Sequence, residues 1–305
     1  MTPTVLVAGA SGFVGSHLAR ALVQGGYDVR AMTRQPEEYD GAGAAVHGDV
    51  ADPASLPDAL AGVDAAYYLV HSLDSPDFED KDAQAARNFA AACQAAGVGQ
   101  IIYLGGLGRD DEELSPHLRS RREVEHLLAG TDVPVTVLRA AVVVGHGGIS
   151  WEITRQLVDH LPLMITPKWV DTRTQPIALP DVVRYLVGVL GEEKALGRTF
   201  EIGGPEVLRY VDMLRRAAKI KRKPMPRVKV PLLTPRLSSY WLALVTDVDT
   251  KTTRTLVDSM TTEVIVSDRS IEEVVPGPTM GYDDAVRLAL KDREEALAPA
   301  DPPAG

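Results

Sequence analysis

Residues 4–26 read TVLVAGASGFVGSHLARALVQGG, and the parsing of this stretch decides the fold. Thr4–Ala10 is a short run of β-branched and small apolar residues, the composition of a strand covered on both faces. His17–Gly26 is a helical pattern that closes on Gly25-Gly26, where a helix ends in a left-handed turn. Between them lies Gly9-Ala-Ser-Gly12-Phe-Val-Gly15, a GxxGxxG loop. Its glycines permit a tight turn, a close approach of backbone to a pyrophosphate, and close helix–strand packing. The free N–H groups and dipole of a helix beginning near Phe13 add an anion site. The stretch therefore predicts a dinucleotide cradle built from Gly9, Ser11, Gly12, Phe13, Val14 and Gly15. The plainer reading is a tight strand–helix turn without a ligand.

Working outward, short apolar runs alternate with longer helical patterns, which predicts a parallel sheet with crossover helices. Strands are expected at 4–10, 28–34, 44–50, 64–72, 100–106 and 135–145, with another at 198–204. Helices are expected at DAQAARNFAAACQAAG, closing on Gly97, and at WEITRQLVDHL and DVVRYLVGVL. The fold class is α/β, a doubly wound parallel sheet with a smaller α+β C-terminal lobe. Residues 1–230 form the dinucleotide domain, with a substrate-side segment at about 146–176. The proline-punctuated KPMPRVKVPLLTP (223–235) marks a boundary. Residues 231–296 form the lobe, and the tail 297–305 (APADPPAG being its core) is expected to be disordered.

The ends of the strands choose the cofactor. An Asp or Glu about 20 residues beyond the loop would hold the ribose hydroxyls of NAD, and an Arg there accommodates the 2′-phosphate of NADP. This chain has Thr33 and Arg34, and no acid until Glu37. A guanidinium pairs with that phosphate through a forked donor set, so NADP(H) is expected. The alternative for Arg34 is an exposed strand-end side chain. Asp49, beside Val50, is placed to accept a hydrogen bond from the adenine amino group. Leu69, Val70 and His71 end the fourth strand and are expected to line the crevice. No metal is expected.

Bulk composition excludes several classes. The 305 residues, 45% hydrophobic, allow a large core, and a single cysteine, Cys93, rules out an internal disulfide framework and fits a reducing cytoplasm. The N-terminus has no basic-then-apolar leader, and no apolar run reaches the ~20 residues that span a bilayer. A net charge of −10 argues against general nucleic-acid affinity. One basic stretch, Arg215–Lys229, carries eight basic residues and no acid. It reads first as a solvated helix end. The alternative is a peripheral membrane or anionic-partner contact running through 215–245.

Several segments together resemble the short-chain dehydrogenase/reductase superfamily, in its atypical NmrA-like branch and nearest the YbjT-like group. They are GASGFVG (9–15), YYLVHS (67–72), NFAAACQAAGV (88–98), IIYLGGLG (101–108), HLRSRREVEHLL (117–128), LRAAVVVG (138–145) and TQPIALPDVV (174–183). The likeness covers most of residues 1–210. It implies an NAD(P)-binding Rossmann domain with a small substrate-side lobe.

Members with the usual chemistry carry a serine after the fifth strand and Tyr-x-x-x-Lys on the next helix. The lysine lowers the tyrosine pKa and holds the nicotinamide ribose, and the phenol passes the proton. Here the resemblance puts the serine position at Gly105 or Gly106, and the Tyr-x-x-x-Lys frame at His117-Leu-Arg-Ser-Arg121. Arg121 can hold a ribose, but it cannot lend a titrating amine. His117 could donate a proton near neutral pH, or, since Ser115-Pro116 reads as a helix cap and first-turn proline, it could be an exposed helix-start residue. The expected function is NADP(H)-dependent oxidoreduction of a small or hydrophobic substrate without the Ser-Tyr-Lys set. The competing reading is a non-catalytic NADP(H)-binding redox sensor or scaffold. A third follows a likeness to the accessory Rossmann subunit of respiratory complex I, with LLTPRLSSYWLALV (232–245) touching a membrane assembly.

Overall fold

A computed structural model describes residues 2–72, 75, 77–108, 114–160, 164–166, 168–224, 227–229 and 260–298. The acidic loop 109–113, the apolar segment 232–245 and the tail beyond 298 lie outside the described residues. The chain runs β1 (Thr4–Ala8), α1 (Phe13–Gln24), β2 (Asp28–Thr33), β3 (Ala44–His47), α2 (Leu56–Leu60), β4 (Ala65–Tyr68), α3 (Phe78–Ala96), β5 (Gln100–Gly106), α4 (Pro116–Leu128) and β6 (Val135–Ala140). It continues through β7 (Val143–Val144), α5 (Ile149–His160), β8 (Met164–Thr166), β9 (Arg173–Thr174), β10 (Ile177–Ala178), α6 (Leu179–Gly188), β11 (Thr199–Ile202), β12 (Leu208–Arg209), α7 (Tyr210–Ile220), β13 (Arg227–Lys229) and α8 (Tyr282–Leu297).

Seven parallel strands form the central sheet in the order β3-β2-β1-β4-β5-β6-β11. Strand β1 shows why it is covered on both faces. Val5 and Val7 pack with Leu18 and Leu22 of α1 and with Val182 and Leu186 of α6. Leu6 and Ala8 pack on the opposite side with Leu56 of α2, Phe89 of α3 and Val124 of α4. The period-two alternation of a strand sends neighbouring side chains to different layers, and here both layers are apolar. After β1 the chain winds outward through β2 and β3, then returns to place β4 on the other side of β1. That reversal opens a crevice beyond the carboxyl ends of β1 and β4, the place where such sheets hold ligands.

The expected strand 135–145 divides in two. Its first half ends at Ala140, paired with Gly106 at the edge of the sheet. The chain then steps away, and Val143–Val144 pairs with Ile177–Ala178 in a separate two-stranded ribbon. The apolar run is continuous because both halves are covered, by different partners.

The later helices α5, α7 and α8 share one apolar cluster that includes Trp151, Leu157, Tyr210, Leu214, Tyr282 and Val286. Within the basic stretch, much of the charge is neutralised at home. Arg216 pairs with Glu206 at 2.5 Å and with Asp283 at 2.7 Å, which ties α7 to the start of α8. Lys221 and Lys223 both reach Asp159 of α5, at 2.6 and 2.9 Å. This favours the helix-end reading of 215–223 over a surface for anionic partners. Among the described residues, no helix is long and apolar enough to cross a membrane.

Candidate active site

Helix α1 starts at Phe13 with Gly12 as its N-cap, and no side chain caps it. The first N–H groups of such a helix have no intrahelical acceptor, so an anion is their natural partner. The loop before it is held tight. Gly9 adopts φ +85°, a conformation suited to glycine, and its carbonyl accepts the Gly12 N–H at 3.0 Å. Helix and loop touch backbone to backbone: a Cβ at Gly15 would lie 2.1 Å from the Gly9 oxygen. At Gly12 the nearest atom is that same oxygen at 3.2 Å, so this position is closed only by what binds above it. Ser11 and Gly12 are exposed at the crevice, Val14 is half-buried and Gly15 is buried. The Phe13 ring packs at Gly145 and Gly148, where an added Cβ would come within 3.1 and 2.7 Å of it.

The far wall of the crevice comes from the end of β4. Leu69 donates its N–H to Ala8 at 3.0 Å, and its carbonyl would lie 2.9 Å from a Cβ at Gly9. Leu69 and Val70 are half-buried there, and His71 keeps an exposed edge. At the end of β2, Thr33 is half-buried, and Arg34 is exposed with no hydrogen-bond or ion-pair partner among the described residues. Asp49 accepts the Ala51 N–H at 2.9 Å through Oδ1, in a turn that Ser55 also braces by accepting the Asp49 N–H at 2.9 Å. Val50 is buried, and its carbonyl accepts from Asn88 of α3 at 2.9 Å.

Helix α4 supplies the remaining wall. Its cap is the one the sequence predicts: Ser115 accepts the Leu118 N–H at 3.3 Å and Pro116 opens the first turn. His117, however, is not an exposed helix-start residue. It is half-buried, and burial followed by the Arg121 charge pushes its pKa down to about 3. Those surroundings disfavour the charged imidazolium at this position. His71 stands on the same rim, where its protein surroundings and then the charges of Arg121 and His117 lower its pKa.

The two glycines at the serine position are not simple deletions of a hydroxyl. A Cβ at Gly105 would lie 3.1 Å from the Tyr103 ring, and at Gly106 it would lie 2.7 Å from Leu118 and 3.7 Å from the Arg121 stem. At Gly106 the space a serine would use is taken by α4, and at Gly105 it is bounded by the Tyr103 ring. Tyr103 is no substitute acid, because its buried hydroxyl donates to the Arg121 carbonyl at 3.3 Å and burial raises its pKa.

Sequence reasoning missed Asp82. It sits on α3, 4% exposed, and its carboxylate accepts the Ser72 N–H at 2.8 Å and the Ser120 hydroxyl at 3.2 Å. The readable signal was its register. Asp82 shares the apolar stripe of Ala86, Phe89 and Cys93, at the spacing of one helix face. It was hidden because the predicted helix opens at Asp82, where an acid is a routine solvent-facing residue; the observed helix starts one turn earlier, at Phe78.

Comparison with known proteins bears on this geometry. Residues 9–161 match the NAD(P)H-binding family. The (4-alkanoyl-5-oxo-2,5-dihydrofuran-3-yl)methyl phosphate reductase of Streptomyces griseus is 28% identical over 232 residues, covering 72% of this chain and 75% of that protein. An Arabidopsis thaliana protein, NADH dehydrogenase [ubiquinone] 1 alpha subcomplex subunit 9, mitochondrial, is 23% identical across 90% of this chain and 75% of its own length. Among solved structures, the Citrobacter sp. triphenylmethane reductase complexed with NADP(H) superposes with a TM-score of 0.76 at 17% identity, over 94% of this chain and 99% of that one.

Proposed function

Because this chain belongs to the NAD(P)H-binding family, within the NmrA-like atypical short-chain dehydrogenases/reductases, we propose that it is an NADP(H)-dependent oxidoreductase acting on a small or hydrophobic substrate. The observation that carries the cofactor reading is the start of α1 beneath the glycine loop, which no side chain caps, joined at the end of β2 by an Arg34 with no partner among the described residues. The cradle fits a dinucleotide by its chemistry: free N–H groups for a pyrophosphate, a backbone-tight Gly9–Gly15 contact, and a guanidinium where a 2′-phosphate would lie. In this reading Gly9, Ser11, Gly12, Phe13, Val14 and Gly15 surround the pyrophosphate. Thr33 and Arg34 meet the adenosine ribose phosphate, and Asp49 and Val50 flank the adenine. Leu69, Val70, His71 and Gly105 line the nicotinamide side.

When bound, the nicotinamide ring supplies or accepts the hydride. Arg121 holds the adjoining ribose with a charge that pH does not remove. His117, one turn earlier on α4, presents a neutral imidazole to the substrate. It orients a substrate oxygen by hydrogen bonding, and the proton that balances hydride transfer comes from water or from the substrate. Such chemistry suits an activated double bond or carbonyl, whose electrons need little help from an enzyme acid. The names of relatives such as the S. griseus reductase agree with a reductase role.

The test is calorimetric titration with NADPH and NADH, followed by a metabolite screen for NADPH oxidation. Tighter NADPH binding and turnover of one compound class are expected, and equal affinity for the two cofactors removes the NADP(H) assignment. A second reading, a redox sensor, draws on the missing proton donor. It is separated by single-turnover NADPH oxidation, which a sensor does not perform with any substrate.

A further inference from the structure

Asp82 is a buried carboxylate with no place in the chemistry just described. It stands on α3 beneath the junction of two crevice walls, the loop that follows β4 and the first turns of α4. Its two oxygens divide between them: Oδ1 accepts the Ser72 N–H at 2.8 Å and Oδ2 accepts the Ser120 hydroxyl at 3.2 Å. Ser72 follows His71, and Ser120 precedes Arg121, so one carboxylate sets the spacing between two neighbours of the nicotinamide side. Each wall is held by further bonds, Leu69 to Ala8 on one side and Tyr103 to the Arg121 carbonyl on the other. Among the described residues, only Asp82 bonds to both.

We infer that Asp82 is the positioning residue of the crevice: it clasps the His71–Ser72 loop to α4 and, through the Ser120 bond, fixes where the next residue, Arg121, stands at the ribose, with its negative charge nearby. This rests on the cofactor reading above. The charged and titratable groups facing it are Arg121 from α4, Tyr68 from β4 and Tyr103 from β5. Of these only Arg121 is charged at neutral pH, and its attraction favours the carboxylate form. Burial acts the other way and is the larger effect, so the Asp82 pKa is raised. The sign for stability follows. A carboxyl whose folded pKa lies above its unfolded value binds its proton first in the folded state, so the ionised group subtracts from stability at neutral pH and acidification restores it.

Asp82→Asn isolates the charge from the framework. The amide oxygen still accepts the Ser72 N–H, and the amide N–H can donate to Ser120, whose hydroxyl also accepts. The experiment is NADPH calorimetry on the full chain for wild type, Asp82→Asn, Arg121→Ala and the double variant, with thermal melting of each. Asp82→Asn is expected to melt no lower than wild type and to bind NADPH about tenfold more weakly, the worth of roughly one pKa unit of coupling between the two charges. The double variant should bind no more weakly than Arg121→Ala alone. Wild-type affinity should fall as acid protonates Asp82, with that inflection absent from Asp82→Asn. Ser120→Ala, which removes a bond to the ionised form, should move the inflection to higher pH and gives the second readout if the asparagine variant does not fold. Additive losses in the double variant, or an Asp82→Asn protein with wild-type affinity and an unchanged pH profile, overturn the inference. Failure of wild type to bind either nicotinamide cofactor would instead bring down the cofactor reading, and this inference with it.

Discussion

Arg34 and the loop glycines are where single side chains decide the most. Arg34 is exposed and without a partner among the described residues, so its removal disturbs no internal bond. Arg34→Ala is expected to leave stability and NADH affinity unchanged while weakening NADPH about ten- to a hundredfold, the value of a charge-assisted contact of ~1.5–3 kcal/mol. Calorimetry with both cofactors checks it. The two inner glycines should separate folding from binding. Gly15→Ala drives a Cβ to 2.1 Å from the Gly9 oxygen, a backbone atom that cannot rotate aside. A loss of about 3 kcal/mol or more is expected, since overpacking against rigid neighbours costs at least the upper part of the usual range. A Cβ at Gly12 would lie 3.2 Å from the Gly9 oxygen, a tight contact but far looser than at Gly15, so Gly12→Val should fold with a smaller loss of stability than Gly15→Ala yet lose protection by cofactor. If the cofactor still raises its melting temperature as in wild type, the loop is not the phosphate cradle.

Helix α4 works as an element, because its first turns carry His117 and Arg121 on one rigid body. His117→Ala is expected to leave NADPH affinity nearly intact, whereas Arg121→Ala weakens it. With the His117 pKa at about 3, kcat/KM should show no histidine inflection between about pH 5 and 8, since a neutral imidazole has no proton to gain there. A clear inflection near the ordinary histidine value, lost in His117→Ala, would restore the acid role. The same shift has a stability sign opposite to that of Asp82. The unfolded chain takes up a proton on His117 near the ordinary value of 6.5, and the folded chain does so only near 3. Stability is therefore lost as pH falls between those values. Gly106→Ser would press on the Leu118 side chain, so reinstating a serine alone should not create the usual catalytic geometry.

At the scale of the whole molecule, the later helices are joined by charge as well as by apolar packing. Arg216 of α7 bonds Glu206 and Asp283 and lies 5.4 Å from the Tyr282 ring centre. These groups are about one-third exposed, so screening reduces what the pairs contribute. Arg216→Ala should cost about 1 kcal/mol, seen as a fall of ~2–4 °C in Tm, with cofactor affinity unaffected.

The sequence alone determined the sheet and its ligand edge. Strand and helix periods, the GxxGxxG spacing and the Thr33-Arg34 pair are local, and local geometry is dictated by residues a few positions apart. The buried strand at 100–106 was legible to its last residue, because every residue in it had a covered face to satisfy. What only the tertiary structure decided is the content of the crevice. Titration depends on surroundings: His117 looks like a physiological proton donor on paper, and in the fold burial and the Arg121 charge lower its pKa. Asp82 looks like a helix-start acid, yet it became the clasp between β4 and α4 because its partners, Ser72 and Ser120, stand 10 and 38 residues away. Spacing along a chain encodes helix faces and turns. It does not encode which walls meet across a cleft, and it is there that the charge state of this site is set.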